Sequence, residues 1–144
     1  MKIEEKTQAI VNEFANFDDW MDKYNYLIEL GKSLPLIEER HKTENNLIPG
    51  CQSRVWLHAD FDGEIVHFTA DSDAVITKGI ANLLIRTFSD QRPQEILDSS
   101  ANFLSEIGLT EHLSPTRSNG MLSMLKQIKM YALAFKAKQQ MGQS

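Results

Sequence analysis

The single cysteine, Cys51, is the residue of this chain best equipped for covalent chemistry. It sits in the segment Asn46-Leu47-Ile48-Pro49-Gly50-Cys51-Gln52-Ser53-Arg54-Val55-Trp56. A Pro-Gly break before it and an apolar stretch after it place the thiol on a loop leading into a strand. Pro49 pushes Ile48 into an extended conformation, and Gly50 supplies a pivot that other residues lack. Straightening Asn45 to Ser53 carries the sulfur outward by roughly 10 Å, enough to enter another protein's active site. Leu47 and Ile48 can equally shield the thiol when no partner is present. With no second cysteine the chain cannot form an intrachain disulfide, a CxxC redox pair or a four-thiolate metal site.

A cysteine hydrolase needs a histidine base beside the thiol. The four histidines, His41, His58, His67 and His112, lie in no recognisable hydrolase motif. His58 and His67 are expected opposite one another on the polar face of a hairpin. As a pair they offer two metal ligands with no clear third or fourth, so no metal is expected.

The elements that must carry this loop follow from periodicity. Ile3, Ile10, Val11, Phe14 and Phe17 mark a first helix ending near Asn16, which can cap a second helix whose first turn holds Asp18 and Asp19. Trp20, Tyr24, Leu27 and Ile28 form the buried stripe of that second helix, and Gly31 with Pro35 closes it. Residues 36–50 show no period and read as a connecting loop. Residues 54–70 read as a hairpin about a two-residue Asp62-Gly63 turn, pairing Phe61 with Glu64. In that register Val55, Leu57, Ala59, Val66, Phe68 and Ala70 share the apolar face.

Asp71-Ser72-Asp73 is expected to cap a helix bearing Ile76, Ile80, Leu83, Leu84 and Phe88. Pro93 opens a short helix, and a further turn or two surrounds Phe103, Leu104 and Ile107. Ser114-Pro115 opens the last helix, whose seam is Met121, Met124, Leu125, Ile128, Tyr131 and Phe135. Its lysines, Lys126, Lys129, Lys136 and Lys138, read as a solvated face, and its methionines as core filling. Helices flanking a small antiparallel sheet make an α+β domain, and one domain is expected over residues 1–144.

The bulk properties remove other classes. The 144 residues are 42% hydrophobic and 24% charged, ordinary for a soluble globular protein that buries a core without staples. Fifteen Lys and Arg against twenty Asp and Glu give a net charge of -5, which lacks the basic footprint of nucleic acid binding. The N-terminus carries no apolar signal stretch, and runs such as Leu83-Leu84-Ile85 are too short to span a bilayer. A cytoplasmic location fits the unpaired thiol.

Four ordered segments resemble one family. Gly50-Cys51-Gln52-Ser53-Arg54-Val55-Trp56 is similar to the signature loop of SufE-type sulfur acceptors, accessory proteins of cysteine desulfurases. Tyr26-Leu27-Ile28-Glu29-Leu30-Gly31-Lys32 agrees as well, as does Ala70-Asp71-Ser72-Asp73-Ala74 with Gly79 downstream. The fourth is Leu113-Ser114-Pro115-Thr116-Arg117-Ser118-Asn119-Gly120. The resemblance implies a compact fold shared with IscU-type iron–sulfur scaffolds. It also implies a role: Cys51 accepts persulfide sulfur from a pyridoxal-phosphate desulfurase, stimulates it, and passes sulfur toward a downstream iron–sulfur scaffold. Gly50, Gln52, Ser53 and Arg54 would form the presenting loop and its anchor. Asp73 and Arg117 would lie near the loop or at the partner surface, although capping and surface ion pairing account for them equally well. No cofactor is expected on this chain, because the pyridoxal phosphate belongs to the partner, of SufS or CsdA type.

A lone thiol suits such a carrier, since a second cysteine nearby would attack the persulfide, form a disulfide and release sulfide. The thiolate must be populated by a nearby cation, with Arg54 and Arg117 the candidates by charge, or by the partner's site. Three other readings stay open: a cluster scaffold, an independent thiol enzyme, and an interaction domain in which Cys51 merely packs. A monomer or weak homodimer is expected.

Overall fold

A computed structural model describes residues 2–142. Two helices come first, α1 (Ile3–Phe14) and α2 (Trp20–Lys32), followed by single 3-10 turns at Glu39–His41 and Glu44–Asn46. A hairpin of β1 (Val55–Phe61) and β2 (Val66–Ser72) leads into α3 (Val75–Phe88). Three short helices, α4 (Pro93–Asp98), α5 (Phe103–Glu106) and α6 (Leu109–His112), precede the long α7 (Pro115–Gly142). The arrangement is α+β, and the buried apolar residues apart from Ile37 form one continuous cluster. Among the described residues no helix is long and apolar enough to cross a membrane.

α3 is the axis of the core. It buries Ile76, Ile80, Leu83, Leu84 and Phe88 as the spacing predicts, and also Thr77, Asn82 and Thr87 from its other faces. A helix buried nearly all round must pair its polar side chains internally. Thr87 Oγ1 donates to the Leu83 carbonyl at 2.8 Å, and Asn82 Nδ2 donates to the Leu30 carbonyl of α2 at 2.6 Å. Glycine lets α2 and α3 approach closely, with Gly31 on one helix and Gly79 on the other. α1 adds Ile10 and Phe14 to the core, and its Glu13 receives the Arg86 guanidinium of α3, which holds that carboxyl below its usual range.

The hairpin faces are those expected, but the register differs by two residues: Phe61 pairs with Val66, and the ladder runs to Val55 opposite Ser72. The turn is a four-residue one in which Asp62 Oδ1 accepts from the N–H groups of Glu64 and Ile65, each at 2.8 Å. Because side chains alternate with period two, a shift of two leaves Val55, Leu57, Val66, Phe68 and Ala70 facing the core. It does separate the histidines: His58 stands opposite Thr69, and His67 opposite Asp60.

Other expectations are corrected. Asp19, not Asn16, caps α2 by accepting from the Asp22 N–H at 2.9 Å, so Asp18 and Asp19 precede the helix. The expected cap of α3 is absent, since Asp71 and Ser72 end β2 and the cap position falls to Ala74, whose own N–H donates to Ser72 Oγ at 3.2 Å. Asp71 is instead clamped by Lys42 at 2.6 Å and Lys78 at 3.3 Å. Residues 36–50 are more than a connector. Leu36 bridges to Ala70 and Leu47 to Trp56, so this segment covers both edges of the hairpin.

On α7, Met121 and Met124 fill the core, whereas Met130 is 52% exposed. Lys129 is not solvated: its ammonium caps the end of α4, donating to the carbonyls of Ile96 and Ser99.

Candidate functional site

The thiol loop hangs between two fixed points. Upstream, the Ile48 N–H donates to the Val55 carbonyl at 2.9 Å and the Ile48 side chain is buried. Downstream, Arg54 and Asp73 extend the hairpin ladder by one rung. The Arg54 N–H donates to Asp73 Oδ1 at 3.1 Å, and the Asp73 N–H donates back to the Arg54 carbonyl at 3.3 Å. Only residues 49–53 therefore lie outside the ladder. The expected straightening from Asn45 is shortened, because Asn46 and Leu47 are tied to His41 and Trp56.

Within this short loop Gly50 has φ +85°, a left-handed conformation that strains any residue bearing a Cβ. A Cβ there would also stand 3.2 Å from the Ser123 hydroxyl of α7. Gln52 is exposed and Ser53 half-buried. Cys51 itself is half-buried and packs against the core, its Sγ 3.8 Å from the Gly120 carbonyl oxygen. Gly120 is buried inside α7, and a Cβ there would lie 3.5 Å from the sulfur. The loop thus lays its thiol against a helix face kept bare by glycine, in contact through 69 residues of sequence separation.

Burial pushes the Cys51 thiol above its ordinary value. Neither arginine candidate offsets it. Arg54 engages Asp73 through its backbone, and the Arg117 guanidinium lies 5.9 Å over the Tyr24 ring, with Nη1 3.4 Å from the Tyr24 hydroxyl. Arg117 thereby pins the first turn of α7 to α2, and its own N–H donates to Ser114 Oγ at 3.3 Å. The histidines have other partners. His41 stacks on His58 at 3.8 Å, His112 on Trp20 at 4.5 Å, and His67 Nδ1 is 2.8 Å from Asp90 Oδ1. Among the described residues no group of three or more His, Cys, Asp or Glu could hold a metal ion.

The raised thiol has a measurable consequence. Alkylation by iodoacetamide consumes thiolate, so its rate on the free protein should climb with pH beyond the point where free cysteine levels off. A rate that levels off below neutral pH would mean a thiolate-stabilising cation sits at the loop.

The loop brings Gly50, Cys51, Arg54 and Asp73 together, while Arg117 stands one helical turn before Gly120 with its guanidinium on Tyr24. Sequence reasoning assigned no role to Gly120 or Ser123, which form the wall behind the sulfur. The available signal was a glycine in the interior of a long helix, a costly choice unless something packs there.

The sequence profile of SufE, the Fe-S metabolism associated domain, matches residues 8–132. An uncharacterised SufE-like protein of Rhizobium meliloti is 43% identical over 128 residues, covering 85% of this chain and 91% of that protein. SufE-like protein 1 of Arabidopsis thaliana, described as chloroplastic/mitochondrial, is 41% identical over 134 residues, which are 92% of this chain and 36% of the plant protein. The solution structure of a hypothetical protein from Thermus thermophilus superposes with a TM-score of 0.76 over 92% of this chain and 96% of that one; at 21% identity it shows the shared fold. With a profile match across most of its length and relatives above 40% identity, this chain belongs to the SufE family of the Fe-S metabolism associated domain.

Proposed function

We propose that the protein accepts sulfur from a cysteine desulfurase on Cys51 and carries it to iron–sulfur cluster assembly. The observation that supports this most is the combination at residue 51. The chain's single thiol rides a five-residue segment between two hydrogen-bonded anchors, pivots at Gly50, and rests against α7 rather than beside a base.

The chemistry balances without an outside electron source. The Cys51 thiolate attacks the terminal sulfur of the desulfurase persulfide; a new S–S bond forms on Cys51, the old one breaks, and the desulfurase thiolate leaves with the electron pair. The resting geometry suits a carrier that is quiet alone. Burial favours the protonated thiol, so the partner would draw the loop off Gly120 and supply the charge that populates the thiolate. Leaving the bare helix wall gives up one weak S–H···O contact and the packing of a half-buried side chain, which the partner's site must replace. Pyridoxal phosphate and carbon–sulfur cleavage belong to the desulfurase, of SufS or CsdA type. An iron–sulfur scaffold is the downstream recipient, and this chain is an accessory protein rather than an enzyme.

Intact mass spectrometry tests the proposal. After incubation with an active cysteine desulfurase and free cysteine, without reductant, the protein should gain one or more sulfur atoms that a thiol reductant removes. No gain beside a demonstrably active cognate desulfurase would leave an interaction domain as the better reading.

A further inference from the structure

The outer face of α7 has no use inside this fold. Leu122, Met130 and Leu133 are 52%, 52% and 59% exposed, and at about 100° per residue they share one stripe with exposed Lys126 and Ala137. This stripe points away from the buried seam of Met121, Met124, Ile128 and Ala132. From Leu122 to Ala137 it is about 22 Å long. Lys136 and Lys138 flank it on opposite sides. Exposed apolar side chains scattered singly need no explanation, but a continuous line of them along one helix does.

Two observations say what covers it. The first is continuity with the thiol loop, because Leu122 lies between Gly120, which touches the Cys51 sulfur, and Ser123, which faces Gly50. A protein that takes up the loop meets this stripe next. The second is charge. α7 carries five basic residues (Arg117, Lys126, Lys129, Lys136, Lys138) and no acidic one. With fifteen basic and twenty acidic residues in the chain, the remainder holds ten and twenty, a net of -10. A second copy meeting α7 through its own α7 would oppose like charges, and an anionic lipid surface would be repelled by the rest of the molecule. The fitting occupant is a protein surface with an apolar strip rimmed by carboxylates.

We infer that the α7 stripe, Leu122 through Ala137, is the outlying half of the surface on which the cysteine desulfurase docks, with an acidic-rimmed apolar strip of the desulfurase lying along it. The inference rests on the proposed function and adds to it the surface and the chemistry of the partner. The loop supplies the reacting sulfur, and α7 supplies area and orientation some four helical turns away.

The test measures desulfurase affinity by calorimetry for the wild type, Leu133→Glu, Met130→Glu and Lys126→Glu, with thermal melts to confirm the fold. None of these residues touches Cys51. Each variant should bind about tenfold more weakly or worse at an unchanged melting temperature, and added salt should weaken the wild type more than Lys126→Glu. Sulfur loading of Cys51 should return at high desulfurase concentration. Wild-type affinity in all three glutamate variants, with loading intact, overturns the docking surface and leaves the carrier function standing. A wild type that neither binds nor loads overturns both. Concentration-dependent dimers, or co-sedimentation with phosphatidylserine vesicles, abolished by Leu133→Glu while desulfurase affinity is untouched, assigns the stripe to another occupant and overturns it too.

Discussion

Gly79→Ala is expected to destabilise the protein by about 3 kcal/mol or more, although intrinsic helix propensity alone favours alanine by about 1 kcal/mol. The reason is where the added methyl must go. Its Cβ would stand 2.1 Å from the Leu27 carbonyl oxygen, 2.7 Å from the carbonyl carbon and 3.1 Å from Cα, all backbone atoms of α2. A flexible side chain can turn aside, whereas a helix backbone moves only as a body. Gly31 closes the same crossing from the other side, where a Cβ would lie 3.0 Å from Lys78 Cβ and 3.1 Å from the Gly79 nitrogen. Separating α2 from α3 would also stretch the Asn82 bond to Leu30. Against a total stability of about 5–15 kcal/mol, this leaves little folded protein at elevated temperature. Chemical denaturation measures it: stability within about 1 kcal/mol of wild type would mean the two helices are not packed this closely. The effect also reaches the thiol, since α3 begins two residues after Asp73, the residue that clasps Arg54 at the foot of the loop.

The helix crossing shows why some of this molecule could be read from its sequence and some could not. Periodic apolar residues revealed α1, α2, α3 and α7, because a face that must be buried leaves its spacing in the chain. Local competition was less legible. Asn16, Asp18 and Asp19 can all cap a helix, and the structure chooses Asp19. Asp62-Gly63 suits a two-residue turn, yet the Asp62 carboxylate gathers two N–H groups and widens the turn to four. Both registers bury the same face, so polarity could not separate them, and the two histidines lost their pairing. Long-range partners left almost no trace. Pro49 and Gly50 announce that Cys51 sits on a loop, but nothing near residue 51 says that Gly120 and Ser123 stand behind it. Lys129 likewise reads as a surface lysine until α4 is seen ending beneath it.

The other large effect is expected from Cys51→Ser, and its value lies in separating four quantities that wild-type behaviour ties together. Sulfur loading should vanish entirely, since a serine hydroxyl is scarcely ionised near neutral pH and cannot hold a persulfide, and the chain has no other thiol to substitute. Folding stability should change by less than about 1 kcal/mol, because Cys51 is only half-buried and its contact with the Gly120 carbonyl is one that a hydroxyl can also make. Affinity for the desulfurase should stay near wild type, since the docking surface extends well beyond the sulfur. Stimulation of desulfurase turnover then becomes the deciding measurement. If acceptance of sulfur is what releases the desulfurase for its next cycle, stimulation falls to the level of desulfurase alone while binding persists. If the serine variant stimulates as well as wild type, docking itself is the activating event, and sulfur acceptance is decided by the loading measurement alone. The half-buried thiol, pushed up by burial, fits the first outcome.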